Sequence, residues 1–567
     1  MTKISGQQYS DLIITELVKA GVRSFCIAPG SRSSSLILSA ANHPLANTYV
    51  HYDERGLGFF ALGLAQAKKN AVAIIVTSGT ALGNLYPAVM EAKMSDTPLI
   101  VITADRPFEL QNCGANQTVD QMKFFGNYVS HFYNLPASAE SENHIRTTID
   151  YAAHNEGPVH INIMQRDPFL KHEPISATPS TSTHFIKGKV VLDDQSKQEI
   201  SDLINEHPDG IITCGSCIPQ EACESICDLA EKLNWPIIVD ITSSIRSLQH
   251  DNIIPFSSLL FKQSHSELKP KMVLHFGNRF ISKDLLQWKE QLAKKTTIIQ
   301  VTHKLEKCDP SHRVTHKVCL PIQNFCSSIL PYIEKKECKK MLDLLKDKSC
   351  QISTILHRLE SEAPLNETFF FSQLSRILTD NQSLFLGNSL TIRAADHAFY
   401  PKRNTGPIFA NRGCSGIDGN IATMAGICSG LEMPLVGIIG DQTFLHDINS
   451  LPLIKNLPIQ LIIINNQGGR IFEHLPINED KENCSKFLVN QALYPLECSG
   501  HLFNIPYSIA KTSDDFFDIF GAHTDKASII ELALCPTQSL ASYQDLISQV
   551  QKSKKSKFSK VLNCYFV

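Results

Sequence analysis

Short apolar runs rich in β-branched residues alternate along the chain with stretches whose apolar positions recur at helical spacing. Such alternation is typical of β-α-β units, in which helical crossovers join parallel strands. The runs predicted to be strands are 24–28, 72–76, 99–102, 159–163, 211–212, 236–239, 272–275, 297–301, 383–386, 435–439 and 461–464. The pattern therefore predicts an α/β protein built from parallel sheets.

Two breaks in this pattern divide the chain. Segment 173–189 is rich in Pro, Ser and Thr, and segment 335–367 is charged and has helical spacing. A chain of 567 residues is too long for one hydrophobic core. We read both segments as connections between domains. The sequence thus predicts three doubly wound domains, at 1–178, 190–335 and 365–567.

The first and third predicted domains look like distant copies of one another. In both, polar motifs follow the strands at similar intervals, with Gly30 and Gly79 in the first domain matching Asn388 and Asp441 in the third. A shared fold class alone could produce much of this similarity.

Composition and charge argue against several classes of protein. The net charge of −3 argues against a nucleic-acid binder. No apolar run approaches the roughly 20 residues that a membrane helix needs, and the polar start does not resemble a secretory signal. The 17 scattered cysteines suggest free thiols in a reducing compartment. We therefore predict a cytoplasmic protein without membrane insertion.

One group of cysteines, at 214, 217, 223 and 227, allows two interpretations. Cys214 and Cys217 have the spacing of a zinc or redox pair. However, Cys223 and Cys227 recur with apolar neighbours at helical spacing, which is typical of a buried helix face.

The basic segment 552–557 also allows two interpretations. It is either a solvated chain end or a membrane-surface patch.

Two glycine-marked segments follow consecutive predicted strands of the third domain. They are Gly440-Asp441 and the Asn-Asn-Gln-Gly-Gly segment 465–469. Their separation suits one helical crossover, which places both loops at the carboxyl edge of a parallel sheet. A carboxylate, an amide oxygen and backbone carbonyls are hard ligands suited to Mg²⁺, and the glycines permit close approach to a phosphate. Two ordinary turns are the alternative.

Several motifs together carry a resemblance to a known family. They occupy 28–33, 53–58, 103–107, 113–117, 411–419 and 465–472. With them, the chain resembles thiamine-diphosphate enzymes of the decarboxylase class. More closely, and over nearly its whole length, it resembles the 2-succinyl-5-enolpyruvyl-6-hydroxy-3-cyclohexene-1-carboxylate synthase (MenD) family. The resemblance implies that the first domain binds the aminopyrimidine of thiamine diphosphate and the third binds its diphosphate, whereas the middle domain is less involved.

The resemblance also implies roles for individual residues around the cofactor. Glu54 is the expected catalytic acid, which protonates the aminopyrimidine ring so that the thiazolium carbon can lose its proton. Asp441, Asn466 and the Gly468 carbonyl are expected to hold Mg²⁺ or Mn²⁺. Further expected cofactor contacts are Ser389, Ile417, Gly440, Gly469, Arg470 and Ile471. Among these, Ile417 resembles the bulky residue that bends the cofactor, although plain core packing is its alternative.

The substrates implied by the resemblance are two dicarboxylates, 2-oxoglutarate and isochorismate, whose binding needs cationic side chains. The candidate substrate-binding residues are Ser31, Arg32, Arg106, Gln117, Lys283, Ser389, Arg393, Arg412, Phe472 and Leu475. The sequence departs from the family pattern at two positions, Asp284 and Gln442. Asp284 follows Lys283 where a second basic residue is often found, a role that Arg279 could fill. Gln442 follows Asp441 where a small or apolar residue is expected.

The implied reaction is decarboxylation of 2-oxoglutarate and 1,4-addition of the succinyl semialdehyde unit to isochorismate, as in menaquinone or phylloquinone biosynthesis. Each site in the family is shared between subunits, so we expect a homodimer or homotetramer. Two alternatives stay open at this stage. One is another thiamine-diphosphate 2-keto acid decarboxylase or carboligase, and the other is a non-catalytic scaffold on the same fold.

Overall fold

The computed structural model describes residues 4–139, 142–166, 183, 185–186, 188–263, 268–401, 403–491, 494–521 and 525–553. Most of the predicted connection 173–189 and most of the basic segment 552–557 lie outside the described residues. The described part divides into three sheets of parallel strands and one small antiparallel pair.

The first domain is built on a six-stranded parallel sheet of order β3-β2-β4-β5-β8-β6, and β1 pairs separately with β7. Its strands are β1 (Ile4–Ser5), β2 (Ser24–Ile27), β3 (Asn47–Val50), β4 (Val72–Val76), β5 (Leu99–Asp105), β6 (His131–Leu135), β7 (Ser138–Ala139) and β8 (Val159–Met164). Its helices are α1 (Gly6–Lys19), α2 (Ser34–Asn42), α3 (Glu54–Lys68), α4 (Thr80–Asn84), α5 (Tyr86–Met94) and α6 (Glu142–Ala153).

The middle domain has a five-stranded parallel sheet of order β10-β9-β11-β12-β13. Its strands are β9 (Gly210–Cys214), β10 (Ile237–Val239), β11 (Met272–Phe276), β12 (Thr297–Thr302) and β13 (His316–Cys319). Its helices are α7 (Asp194–Asn205), α8 (Gln220–Leu233), α9 (Ser257–Gln263), α10 (Lys283–Gln291) and α11 (Ile322–Ile329), and α12 (Lys340–Glu362) leads from it to the third domain. One apolar face of α12, including Leu345 and Leu356, is buried.

The third domain has a six-stranded parallel sheet of order β15-β14-β16-β17-β19-β18. Its strands are β14 (Ser383–Leu386), β15 (Ile408–Phe409), β16 (Leu435–Gly440), β17 (Ile459–Asn465), β18 (Tyr507–Ala510) and β19 (Ser528–Ala533). Its helices are α13 (Glu367–Leu374), α14 (Leu390–Ala398), α15 (Asn420–Leu431), α16 (Asp441–His446), α17 (Leu451–Ile454), α18 (Lys481–Asn483), α19 (Cys498–Phe503), α20 (Ser513–Ile519) and α21 (Pro536–Lys552), with a π-helix at Cys484–Val489.

The first and third sheets share one topology. Numbered in chain order within each sheet, the strands of both run 2-1-3-4-6-5. The predicted α/β class with parallel-sheet domains is confirmed, and every predicted run forms a strand. The strands that the pattern missed include the short or polar edge strands β3, β13 and β15, because an edge strand does not need a continuous apolar run.

The third sheet packs against both other domains. Its side chains alternate between two faces, as a strand requires. Val436 and Ile438 join a hydrophobic cluster with side chains of the middle domain. Leu435 and Ile439 join another cluster with α3 of the first domain. The third domain is therefore held between the first and middle domains.

Helices α3 and α15 cross at very short distance between the first and third domains. A Cβ atom built on Gly426 would lie 2.0 Å from the Phe60 carbonyl oxygen, and one on Gly63 would lie 2.1 Å from the Thr423 carbonyl oxygen. Only glycine allows two helix backbones to approach so closely. Because α3 begins at Glu54, this crossing fixes that residue relative to the third domain.

The cysteine group lies mostly in the core of the middle domain. Cys214 ends β9, and Cys223 and Cys227 lie on α8; all three belong to one hydrophobic cluster. Burial raises the pKa of the Cys223 and Cys227 thiols to about 12. Cys217 is only partly buried. These positions agree with the buried-face interpretation. Among the described helices, none combines the length and apolar character needed to cross a bilayer.

Candidate active site

Asp441 and the loop after β17 meet at the carboxyl edge of the third sheet. The N–H of Gly468 donates to Asp441 Oδ2 at 2.6 Å, and the N–H of Gln442 donates to Oδ1 at 2.8 Å. β16 and β17 are adjacent, so their ends bring the two loops together. Burial raises the pKa of the Asp441 carboxyl to about 6, and these hydrogen bonds oppose that rise. A bound cation would favour the ionised form further.

The side chain of Asn466 is held by an acid that the sequence did not point to. Its amide nitrogen donates to Glu367 Oε1 at 2.7 Å, and the Ser539 hydroxyl donates to the other oxygen of Glu367. With the amide nitrogen fixed in this way, the amide oxygen of Asn466 faces away from Glu367. Partners of this kind commonly orient metal ligands.

This donor set fits a divalent cation of the Mg²⁺ type. It offers one carboxylate, one amide oxygen and backbone carbonyls, all hard oxygen ligands. Gly468 has φ of 118°, and a Cβ atom there would lie 2.5 Å from the Val489 carbonyl oxygen. The loop can therefore take this shape only with glycine at that position.

The amide donors expected to hold the phosphates are largely engaged within the protein. Besides the Gly468 N–H, the Gly469 N–H donates to the Val489 carbonyl at 2.7 Å, and the Arg470 N–H donates to the Gly468 carbonyl at 2.8 Å. Ile471 lies in the following turn. On the other side, Ser389 precedes α14 with φ of 68°, and Gly440 precedes α16.

Glu54 begins α3, after an N-cap formed by Asp53. The Asn84 amide donates to Glu54 Oε2 at 3.4 Å, and Glu54 as a residue is half-buried. Arg55, the next residue, donates to the His446 carbonyl at 2.8 Å at the end of α16. For the described residues, no hydrogen bond or ion pair joins Glu54 to Asp441 or Asn466 within one chain.

The first domain brings one group of predicted substrate residues to its sheet edge. Arg32 is buried and donates to the Gln165 carbonyl at 3.0 Å. Arg106 donates to the Asn116 carbonyl at 2.8 Å, and Gln117 donates to the Ser78 carbonyl at 2.9 Å. Ser31 is exposed beside Arg32. Arg106 directly follows β5, and Arg32 lies shortly after β2, so both arginines come from the carboxyl ends of strands in this sheet.

A second group surrounds the loop between β15 and α15. Arg412 donates to Asn388 Oδ1 at 2.7 Å, and Arg393 donates to the Ser389 carbonyl at 2.7 Å. Burial lowers the pKa of Arg412, and the nearby guanidinium groups of Arg393 and Arg279 lower it further. These three like charges lie close together and suit a polyanionic ligand.

The remaining predicted substrate residues come from α10 of the middle domain and from the segment after β17 of the third domain. Lys283 is exposed at the first turn of α10. Asp284 forms an ion pair with Lys262 at 2.8 Å, so its negative charge is compensated. Phe472 is half-buried, whereas Leu475 is 44% exposed. Leu475 therefore forms no closed wall within the described part of a single chain.

Two further residues on the cofactor side are Gln442, which departs from the family pattern, and Ile417, which resembles it. Gln442 donates to the carbonyls of Val489 and Asn490 at 3.0 and 3.1 Å, and so ties the π-helix to the start of α16. Ile417 is half-buried in its loop, next to Gly416, whose carbonyl accepts from Asn388 at 2.6 Å. Ile417 is not part of any core cluster formed by the described residues.

Comparisons with known proteins show the family of this chain. Residues 7–124 match the family model "Thiamine pyrophosphate enzyme, N-terminal TPP binding domain", and residues 181–386 match "Middle domain of thiamine pyrophosphate". A 2-succinyl-5-enolpyruvyl-6-hydroxy-3-cyclohexene-1-carboxylate synthase from Shewanella frigidimarina is 35% identical over 96% of this chain and 97% of its own length. The chain belongs to this synthase family.

Other relatives support the family assignment. A synthase of the same name from Chlorobium phaeobacteroides is 33% identical over 95% of this chain and 97% of its own length. Another from Bacillus pumilus is 32% identical over 92% of this chain and 93% of its own length. The crystal structure of benzoylformate decarboxylase from Polynucleobacter necessarius aligns with a TM-score of 0.72. It covers 94% of this chain and 99% of that chain at 14% identity, so that likeness concerns the fold alone.

Some residues of the candidate site of this synthase-family chain were missed in the sequence. Asn84 contacts Glu54, Glu367 contacts Asn466, and Asn388 contacts Arg412. Asn388 stood within a noted motif, but its role as a partner was not apparent. Glu367 begins α13, far from Asn466 in the chain, and no local signal marks that contact.

Proposed function

We propose that this chain joins 2-oxoglutarate, after its decarboxylation, to isochorismate in a 1,4-addition that gives 2-succinyl-5-enolpyruvyl-6-hydroxy-3-cyclohexene-1-carboxylate. The chain is a thiamine-diphosphate-dependent enzyme of the transferase class, and family membership links it to menaquinone biosynthesis. The observation that carries the proposal is that this chain has both halves of a cofactor site. Its first domain carries Glu54, and its third domain carries the oxygen ligands of Asp441, Asn466 and Gly468.

The proposed division of labour follows from the two related domains. When bound, thiamine diphosphate supplies a thiazolium ring that accepts the electrons released as carbon dioxide leaves. Asp441, Asn466 and Gly468 would hold the divalent cation beside its diphosphate, with Ser389 and Gly440 nearby. Glu54 would keep a proton at the aminopyrimidine nitrogen, which is a general acid's role.

The cationic groups would bind the two acids. Arg393 and Arg412 lie together at the edge of the third domain, whereas Arg32 and Arg106 lie at the edge of the first. Guanidinium groups suit carboxylates because their donors match both oxygens. Positive charge here would also stabilise negative charge that develops on the substrates. We further place Ser31, Gln117, Lys283, Phe472 and Leu475 at the substrate.

A shared site between two subunits accounts for three features of the single chain. Glu54 has no link of hydrogen bonds or ion pairs to the cation-holding residues among the described parts of one chain. Glu54 is only half-buried, and Leu475 is exposed. A partner chain would cover these surfaces and bring the first domain of one subunit to the third domain of the other. We therefore propose a homodimer or a pair of dimers. We also propose a cytoplasmic location for this protein, on the basis of its cysteine content.

The direct test is mass analysis of products from 2-oxoglutarate and isochorismate, with Mg²⁺ and with or without thiamine diphosphate. The proposal expects the 2-succinyl-5-enolpyruvyl-6-hydroxy-3-cyclohexene-1-carboxylate product, which carries three carboxylates, only when both acids and the cofactor are present. Equal release of succinic semialdehyde with and without isochorismate would instead indicate a different decarboxylase. Failure to bind thiamine diphosphate in calorimetry would indicate a non-catalytic role.

A further inference from the structure

The loop 411–419, between β15 and α15, is held by the first domain at two consecutive peptide N–H groups. The Gly413 N–H donates to Glu91 Oε1 at 2.6 Å, and the Cys414 N–H donates to Glu91 Oε2 at 2.6 Å. Glu91 lies on α5 and is only 2% exposed. A Cβ atom on Gly413 would lie 2.9 Å from Glu91 Oε1, so the two segments approach as closely as glycine permits.

The middle domain holds the carbonyl of the second of these two peptides. Nη1 of Arg279, from the segment between β11 and α10, donates to the Gly413 carbonyl at 2.9 Å. The peptide between Gly413 and Cys414 is thus fixed through its N–H by an acid of one domain and through its carbonyl by a cation of another. Hydrogen bonds that involve ionised partners are the stronger kind.

A third attachment comes from the third domain itself. Asn388 donates to the carbonyls of Asn411 and Gly416 at 3.0 and 2.6 Å, and it accepts from Arg412 at 2.7 Å. The loop is consequently held on both sides of Arg412. This matters because the Arg412 charge is held away from water: burial is the main cause of the lowered pKa of its guanidinium, Arg393 and Arg279 add to it by repulsion, and the carboxylates of Asp240 and Glu91 oppose it. Without the attachments, the cost of keeping this charge buried would favour movement of Arg412 towards solvent.

We propose that Glu91 and Arg279 are positioning residues that clamp the Gly413 peptide and so hold Arg412 where an anionic substrate binds. The proposal rests on the proposed function, because it takes Arg412 to bind one of the two acids. It gives Arg279 a role through the loop, in place of the direct substrate contact considered from the sequence. It also gives a purpose to Glu91, a buried carboxylate that no step of the reaction uses.

The clamp itself is tested without any substrate. In Glu91→Gln one acceptor oxygen becomes an NH2 group that faces a backbone N–H, so one hydrogen bond is lost and two donors oppose each other. Hydrogen–deuterium exchange of peptides covering 411–419 should then become about tenfold faster or more, because each 1.4 kcal/mol of lost protection is tenfold. Glu16→Gln is the matched control, since Glu16 is also a fully buried carboxylate of the first domain but pairs with Arg146. Unchanged exchange in Glu91→Gln would overturn the clamp.

Kinetics then separate positioning from direct contact. Glu91→Gln and Arg279→Gln should each raise KM for the same acid by roughly tenfold, and the double variant should be little worse than the worse single variant, since both act on one peptide. Glu16→Gln should lower stability with KM unchanged. Additive effects, or an effect of Arg279→Gln alone, would overturn the positioning role and favour direct contact. If the wild-type protein forms no product, the proposed function fails, while the exchange result still decides the clamp.

Discussion

Gly426→Ala is the substitution that most directly tests the close crossing of α3 and α15. The added Cβ would lie 2.0 Å from the Phe60 carbonyl oxygen and 2.7 Å from the Leu64 backbone nitrogen. Both are backbone atoms inside a helix, so neither can turn aside as a flexible side chain can. The two helices must therefore separate by about 1 Å, in an interior packed as densely as a crystal.

Two opposing terms decide the expected size of the effect. Replacing glycine by alanine inside a helix gains up to about 1 kcal/mol from backbone entropy and propensity. Overpacking a close contact costs roughly 1–3 kcal/mol, and a rigid backbone partner favours the upper end. We therefore expect Gly426→Ala to lose about 2 kcal/mol of unfolding free energy.

Gly83→Ala is the matched control, because the nearest atom to its added Cβ would be a Phe124 ring carbon at 3.9 Å. It should be neutral or gain up to about 1 kcal/mol. Urea denaturation followed by circular dichroism gives the midpoints of both variants at a common slope. Product formation should also fall in Gly426→Ala, since α3 carries Glu54. Equal midpoints for the two variants would refute the close-packing argument.

Three further predictions concern single side chains. Glu54→Gln should lower product formation by about 100-fold or more with unchanged thermal stability, and turnover within a few-fold of wild type would contradict its acid role. Glu367→Gln should weaken Mg²⁺ binding in the presence of thiamine diphosphate by about 10- to 100-fold, because Glu367 orients the amide of Asn466. Calorimetric titration measures this affinity. The control Glu360→Gln alters an ion pair with Arg376 and should leave Mg²⁺ binding unchanged. Burial raises the pKa of Asp447 to about 6, above its unfolded value, so the folded chain keeps the extra proton and its stability falls as pH rises from about 4 to 6. Asp447→Asn should flatten that fall by about 3 kcal/mol, and an unchanged pH profile of urea midpoints would contradict this.

Elements with a strong local pattern were predictable from the sequence. The bounds of β4 and β14 agree with the predicted runs, because central parallel strands are buried on both faces and read as continuous apolar segments. The spacing of Asp441 and Asn466 also correctly placed their loops side by side, since adjacent parallel strands end at one edge.

Contacts between distant parts of the chain were not predictable. Glu91 meets Gly413, and Glu367 meets Asn466, across different domains or different ends of one domain. Such pairs depend on how whole sheets pack, and no periodicity of a single segment encodes that. Gln442 was partly predictable. The sequence shows that it departs from the family pattern, but its hydrogen-bond partners, the Val489 and Asn490 carbonyls, are known only from the fold.

Subunit complementation tests the shared site most directly. Glu54→Gln and Asp441→Asn chains with different affinity tags are co-expressed, and dimers that carry both tags are purified. If each site joins Glu54 of one subunit to the cation-holding residues of the other, the hybrid has one site with both defects and one intact site. The account then predicts about half of the wild-type activity per dimer, although each parent variant is inactive. A hybrid as inactive as its parents would contradict the account, because it would place every site within a single chain.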